Sequence, residues 1–195
     1  MPNNILLTGG TGFVGRQILL ALLEKKENIY LVVRKKELLS AYKNEKYIKA
    51  IYFSNDLFSE SKEWLESITK NIDIIIHAAW YTKPGEYLYS DKNLDCLIGT
   101  ITLAQAAALS NVKRFIGIGT CFEYDLSEGY LRTTTPLLPS TPYAAAKVSV
   151  YLTLSQWLPQ VNVEFCWCRI FYLYGENEDE RRLVPYIHSK LAVGE

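Results

Sequence analysis

Apolar positions along this chain follow two alternating rhythms. Short, nearly continuous runs recur at Ile5-Leu6-Leu7, Ile29-Tyr30-Leu31-Val32-Val33, Ile48–Phe53, Asp73–Ala79, Val112–Ile118 and Asn162–Ile170. Runs of that length, with no polar alternation, read as strands buried on both faces, the mark of a parallel sheet. Between them lie longer stretches with helical spacing. Phe13–Lys26 turns Phe13, Ile18, Leu19, Leu22 and Leu23 inward, and Phe58–Thr69 follows the third strand. Tyr87–Leu109 carries Ile98, Ile101, Leu103, Ala104, Ala107 and Ala108 on a face that a partner helix can approach. Thr141-Pro142 opens a further helix, with threonine as cap and proline at the first turn. Leu183–Val193 forms the last. Strand and helix in strict alternation predict an α/β doubly wound parallel sheet of about six strands. Phe122–Pro139 is irregular, and a loop of that length in a compact domain is functional or mobile.

The first strand runs directly into Thr8-Gly9-Gly10-Thr11-Gly12-Phe13-Val14-Gly15. Strand, glycine-rich turn and helix in this order suit a dinucleotide, because the turn needs left-handed backbone and the pyrophosphate leaves no room for a Cβ. The helix N-terminus then offers unpaired N–H groups to the phosphates. Gly9, Thr11, Gly12, Phe13, Val14 and Gly15 are the candidate contacts. A tight strand-to-helix turn with no ligand uses the same glycines. Arg34, at the end of the second strand, fits a ribose 2′-phosphate and favours NADP over NAD, or it belongs to a solvated run with Lys35 and Lys36. Asp56, followed by Leu57, accepts from an adenine amino group or caps the Phe58–Thr69 helix. Ala78 and Ala79 let the backbone approach a ribose or pyrophosphate. His77 reads as a core histidine bonded to backbone.

A second constellation is Tyr143-Ala144-Ala145-Ala146-Lys147, which stacks a phenol and an ammonium on one helical face. A cation beside a phenol favours phenolate, so Lys147 is expected to pull the Tyr143 pKa down and make Tyr143 a general acid/base. Thr120, at the C-terminal end of the fifth strand, stands where open α/β sheets bind ligands. Tyr and Lys four apart also occur on exposed faces; the glycine turn at the right distance upstream is what gives the pair weight.

Charge and cysteine content exclude some classes. Twenty-one basic and 21 acidic residues leave a formal net charge of zero, against a nucleic-acid or anionic-membrane binder. No apolar run reaches transmembrane length and the N-terminus has no signal pattern, so cytoplasm is the expected location. Cys166 and Cys168 share one strand face and read as packing. No four-ligand set is spaced for a metal.

Taken together, Thr8–Gly15, Asp56-Leu57, His77-Ala78-Ala79, Gly99-Thr100, Thr120, Tyr143 with Lys147, and Arg169 followed by Tyr174-Gly175 resemble the extended short-chain dehydrogenase/reductases, the NAD-dependent epimerase/dehydratase group acting on nucleotide sugars. The resemblance implies a Rossmann NAD(P)-binding fold and a hydride moved between nicotinamide and a sugar carbon. It implies Tyr143 as proton donor or acceptor, Thr120 as its substrate-polarising partner, and Lys147 as pKa tuner and ribose ligand. Gly119-Thr120-Cys121-Phe122-Glu123-Tyr124 is most similar to 4-keto-6-deoxyhexose reductases and related dehydrogenases. Dehydratases of the family carry Asp-Glu where Cys121-Phe122 stand, which argues against water elimination. Epimerase-reductases have a histidine where Arg182 stands and a cysteine one position later than Cys121, so 4-keto reduction is preferred over epimerisation. Cys96 replaces the usual Asn before Gly-Thr, weakening a structural hydrogen bond, and Tyr172 replaces an Asn on the substrate side. In the family, the segment following the point matched by Gly194-Glu195 supplies a last strand and most of the nucleotide-sugar pocket. The resemblance therefore implies an NAD(P)-binding domain over 1–195, with 173–195 beginning a substrate part whose lobe is lacking, and a possible inactive binding module. Family analogy also points to a homodimer through helices 87–109 and 142–157.

Overall fold

A computed structural model of the chain describes residues 2–37, 42, 44–176 and 178–194, with residue 128 described by its backbone only. Six strands form a single sheet: β1 Asn4–Thr8, β2 Asn28–Val33, β3 Ile48–Phe53, β4 Ile74–His77, β5 Arg114–Thr120 and β6 Glu164–Ile170. All pair in parallel, in the order β3-β2-β1-β4-β5-β6. The described helices are α1 Phe13–Glu24, α2 Lys62–Thr69, α3 Lys92–Leu109, α4 Pro142–Gln160 and α5 Leu183–Ala192. The doubly wound sheet is therefore the one expected, with every strand at its predicted place.

Alternate residues of each strand feed two cores. On one face Ile5, Leu7, Ile29, Leu31, Val33 and Ile76 pack with Leu19 and Leu22 of α1. On the other, Leu6, Val32, Ile75 and Phe115 pack with Leu65 and Ile68 of α2, Leu103 and Ala107 of α3, and Val150 and Leu154 of α4. The strand order reverses between β1 and β4. The chain winds outward from β1 to β3, then returns beside β1 and winds the other way. Such a switch point opens a crevice beyond the carboxyl ends of the strands, where open α/β sheets bind ligands.

Several local expectations are corrected. The helix expected from Tyr87 begins at Lys92, since Lys83–Tyr89 is a series of turns closed by bonds such as Glu86 N–H to the Lys83 carbonyl. On α3 the buried positions include Cys96, Leu103, Ala104 and Ala107, while Ile98 points outward at 64% exposure. α1 stops at Glu24, and Lys26 takes a positive φ of 59°. The irregular 122–139 stretch contains short 3-10 turns and one bridge, Tyr124 to Leu137. Cys166 is exposed rather than packed, and its sulfur is 3.8 Å from that of Cys168. Thr141 caps α4 through Ala144 N–H, with Pro142 in the first turn, as expected. No described helix is long and apolar enough to cross a membrane.

Candidate active site at the sheet switch point

The glycine turn closes on itself. Gly12 N–H donates to the Gly9 carbonyl at 3.0 Å, and Gly9 has φ +72°. A Cβ on Gly9 would lie 2.5 Å from Ala79 N, and one on Gly15 would collide with the Gly9 carbonyl. Side chains are thus excluded where the turn, the start of α1 and the end of β4 meet. Gly12 stands at the α1 N-cap in extended conformation and provides no side-chain cap. The first N–H groups of α1 consequently face the crevice, the arrangement that favours a phosphate.

A buried hydrogen-bond chain fixes that junction. The Thr100 hydroxyl donates to the Cys96 carbonyl at 2.6 Å, which uses its only proton. It can therefore only accept from His77 Nε2, 3.0 Å away. Nδ1 is left as acceptor for the Thr8 hydroxyl at 2.8 Å, and Thr8 Oγ1 accepts Ala79 N–H at 3.4 Å. His77 thus bonds threonine side chains, not backbone. Burial lowers its pKa to about 3, keeping it neutral.

The crevice between the two halves of the sheet is lined by Gly9, Thr11, Gly12, Phe13, Val14, Gly15, Arg34, Asp56, Leu57, Ala78, Ala79, Thr120, Tyr143 and Lys147. Every residue singled out from the sequence as a cofactor or catalytic candidate reaches this one cleft. Asp56 is exposed there, and its carboxylate caps the 3-10 turn Leu57–Ser59 through Phe58 N–H and the Ser59 hydroxyl. The cap of α2 is Ser61 instead. Tyr143, Thr120 and Lys147 converge on the cleft floor. The Thr120 side chain lies beside the Tyr143 phenol, and Lys147 Nζ donates to the Ile118 carbonyl at 2.6 Å.

The profile of the NAD dependent epimerase/dehydratase family matches residues 5–195. The chain belongs to that family. It is 24% identical to dTDP-6-deoxy-L-talose 4-dehydrogenase (NAD(+)) of Aggregatibacter actinomycetemcomitans, over 89% of this chain and 63% of that protein. It is 29% identical to UDP-glucose 4-epimerase of Yersinia enterocolitica, over 98% and 62%. Among solved structures it resembles UDP-N-acetylglucosamine 4-epimerase from Methanobrevibacter ruminantium M1 in complex with UDP-N-acetylmuramic acid, with TM-score 0.79 and 25% identity, covering 100% of this chain and 64% of that one. The chain thus spans 62–64% of the length of these relatives.

Within this epimerase/dehydratase frame the electrostatics differ from the sequence expectation. Burial pushes the Tyr143 phenol well above its ordinary range, and the neighbouring Thr120 side chain offsets only part of the rise. Lys147 is itself fully enclosed, and burial brings its pKa down to about 7. With its proton only partly retained at neutral pH, Lys147 does not impose phenolate on Tyr143. Cys96, in the place of the family's asparagine, keeps a hydrogen bond of a weaker kind: its sulfur accepts Tyr81 N–H at 3.4 Å.

The sequence names Glu123 only as part of the 119–124 motif and assigns it no role. Its fully buried carboxylate accepts Thr120 N–H at 2.8 Å, Trp167 Nε1–H at 3.0 Å and Arg169 Nε–H at 2.6 Å. Arg169 stacks over Tyr151 at 4.3 Å and Tyr124 at 5.0 Å. The available signal was the period of β6, which puts Phe165, Trp167 and Arg169 on one face, together with a carboxylate three residues after Thr120.

Proposed function

We propose that this chain is the NAD(P)-binding and proton-transferring part of a nucleotide-sugar oxidoreductase, acting as a 4-keto-6-deoxyhexose reductase or, in reverse, dehydrogenase. The observation that carries the reading is that Thr120, Tyr143 and Lys147 line the same cleft as the glycine turn. The cradle suits a dinucleotide: Gly9 and Gly15 let the turn, α1 and the residues after β4 pack backbone against backbone, and Gly12 at the α1 N-cap puts no side chain over the helix's first N–H groups. Gly12, Phe13 and Val14 would hold the pyrophosphate, Asp56 and Leu57 the adenine, Ala78 and Ala79 the ribose, and Lys147 the nicotinamide ribose. When bound, the nicotinamide supplies or accepts the hydride.

This chain's residues then handle the proton. A phenol kept protonated by burial suits the reductive direction: Tyr143 gives its proton to the carbonyl oxygen while the carbonyl carbon gains hydride. Thr120 holds the same oxygen by its hydroxyl. Elimination of water needs a further acid/base pair. Phe122 offers none, and the adjacent carboxylate, Glu123, is already committed to three donors. That disfavours dehydration and leaves epimerisation as the second chemical reading.

Arg34, exposed at the end of β2 and lining the cleft, supports NADP over NAD, although the talose dehydrogenase relative is named for NAD(+). Exposed Leu94, Ile98 and Leu109 on α3 and Leu152 on α4 support a homodimer through these helices. Four free thiols suit a reducing compartment and the cytoplasm.

The test separates binding from turnover. Thermal unfolding with NADPH, NADH or neither reads the cofactor site, since a native-state ligand at about 100 times its Kd adds about 2.7 kcal/mol. Cofactor oxidation with a 4-keto-6-deoxy sugar nucleotide reads the chemistry, and Tyr143→Phe should lower it by about 10²–10⁴-fold without losing the thermal shift. Unchanged turnover in that variant overturns the mechanism. A thermal shift without turnover assigns the chain as a binding module.

A further inference from the structure

Lys147 stands under two indole faces. Its Nζ is 3.7 Å from the centroid of the Trp80 ring and 5.7 Å from that of Trp167. Each indole is anchored by its own N–H. Trp80 Nε1 donates to Asn93 Oδ1 at 3.0 Å, and the Asn93 amide donates to the Tyr87 and Ser90 carbonyls at 2.6 and 2.9 Å. Trp167 Nε1 donates to Glu123, and its ring lies against the strand at Gly117 and Gly119. With their edges tied, both rings present their negative π faces to the ammonium, and Trp is the best aromatic partner for a cation. Trp80 also meets the Tyr143 ring edge-on at a centroid distance of 6.3 Å. One buried side chain therefore touches both members of the Tyr143–Lys147 pair.

We infer that Trp80 is a positioning residue: its indole face, fixed by Asn93 and backed by Trp167, holds the Lys147 ammonium on the Ile118 carbonyl beside Tyr143. The functional weight of this contact rests on the reading of the cleft as an acid/base site. Its physical need is independent of that reading. The groups facing Lys147 are Glu123 after β5, Cys96 on α3, His77 on β4 and Tyr143 on α4. Cys96 is pushed up to about 11 by burial, His77 down to about 3, and Tyr143 upward, so all three are neutral near pH 7. Glu123 is the one carboxylate among them, and it is shared with Arg169. The π faces supply what a dedicated counter-ion would otherwise provide.

The experiment is a pH titration of Lys147 in the whole chain labelled with 13C-lysine, with the signal assigned by Lys147→Met. Trp80→Leu should lower the Lys147 midpoint by about half to one and a half pH units, because the charged form loses its aromatic partner. Trp80→Phe, with a weaker face in nearly the same space, should lower it by less. A ring that only excluded water would give the opposite sign: its removal would hydrate Lys147 and raise the midpoint toward the ordinary lysine value. A rise or an unchanged midpoint overturns the inference, and Trp80→Phe decides alone if the leucine variant does not fold. The titration uses no cofactor. Failure of the thermal shift with NADPH and NADH would sink the proposed function while leaving this result standing.

Discussion

The backbone N–H of Thr120 is held by the side chain of Glu123 at 2.8 Å, and the same carboxylate neutralises Arg169 at 2.6 Å. One buried anion thus fixes the end of β5, where the Thr120 hydroxyl meets Tyr143, and ties it to β6. Removing one partner of a buried pair leaves the other charge uncompensated. Glu123→Ala is expected to cost about 3–5 kcal/mol in urea unfolding. Glu123→Gln keeps an acceptor for Trp167 and Thr120 and should cost less. Equal stability of wild type and Glu123→Ala would show that the pair is hydrated and not structural.

Gly15 supplies a sharper test of the cradle. The Cβ of Gly15→Ala would enter the space of the Gly9 carbonyl, which is backbone and cannot swing aside. The turn or α1 must shift. Overpacking of this kind costs about 1–3 kcal/mol, and it displaces the N–H groups expected to receive phosphate. The variant should therefore show a lower Tm and no thermal shift with NADPH. A normal shift would place the dinucleotide elsewhere.

These two sites also show what the sequence could reveal. The cradle was legible because it depends on local chemistry: glycine where backbone approaches backbone, directly after an apolar strand. Tyr143 and Lys147 were legible from spacing on a helix, and Thr120 from its place at a strand end. The sheet followed from continuous apolar runs. Glu123 was not legible, because its partners Trp167 and Arg169 lie more than 40 residues away and meet it only when β6 pairs with β5. The Tyr143 pKa was misjudged for a similar reason. Spacing puts Lys147 near, but it cannot report the burial that raises one group and lowers the other. The start of α3 at Lys92 was missed because the turns after Pro84-Gly85 contain apolar residues, Tyr87 and Leu88, that pack on the core without being helical.

His77 gives the stability a definite pH slope. In the native chain it stays neutral down to about 3, whereas unfolded it takes a proton near 6.5. Between those values the unfolded chain binds more protons, so stability falls as pH falls, by roughly 1 kcal/mol per pH unit from this group. The loss begins below pH 6.5 and continues toward pH 3. Urea unfolding of wild type and His77→Gln from pH 7 to pH 4 should show wild type losing its advantage over the variant as acid is added. Glutamine keeps a donor and an acceptor but does not titrate, so a pH-independent difference between the two would remove His77 from the account.

Arg34 is where the proposed preference for NADP can be tested. It is exposed after the end of β2 and lines the same cleft as the glycine turn. A guanidinium there can bind a 2′-phosphate, whereas a carboxylate would bond the free 2′-hydroxyl of NAD and repel the phosphate. Its exposure limits the gain, because salt screens an open charge pair. Arg34→Ala is expected to weaken NADPH about tenfold at low ionic strength, as loss of about 1.4 kcal/mol, and less at physiological salt, with NADH little changed. Arg34→Asp should reverse the preference. Calorimetric titration of both cofactors at two salt concentrations reads all three effects. If the wild-type chain binds NADH more tightly than NADPH and Arg34→Ala leaves both affinities unchanged, Arg34 is a solvated strand cap, and the cofactor is NAD.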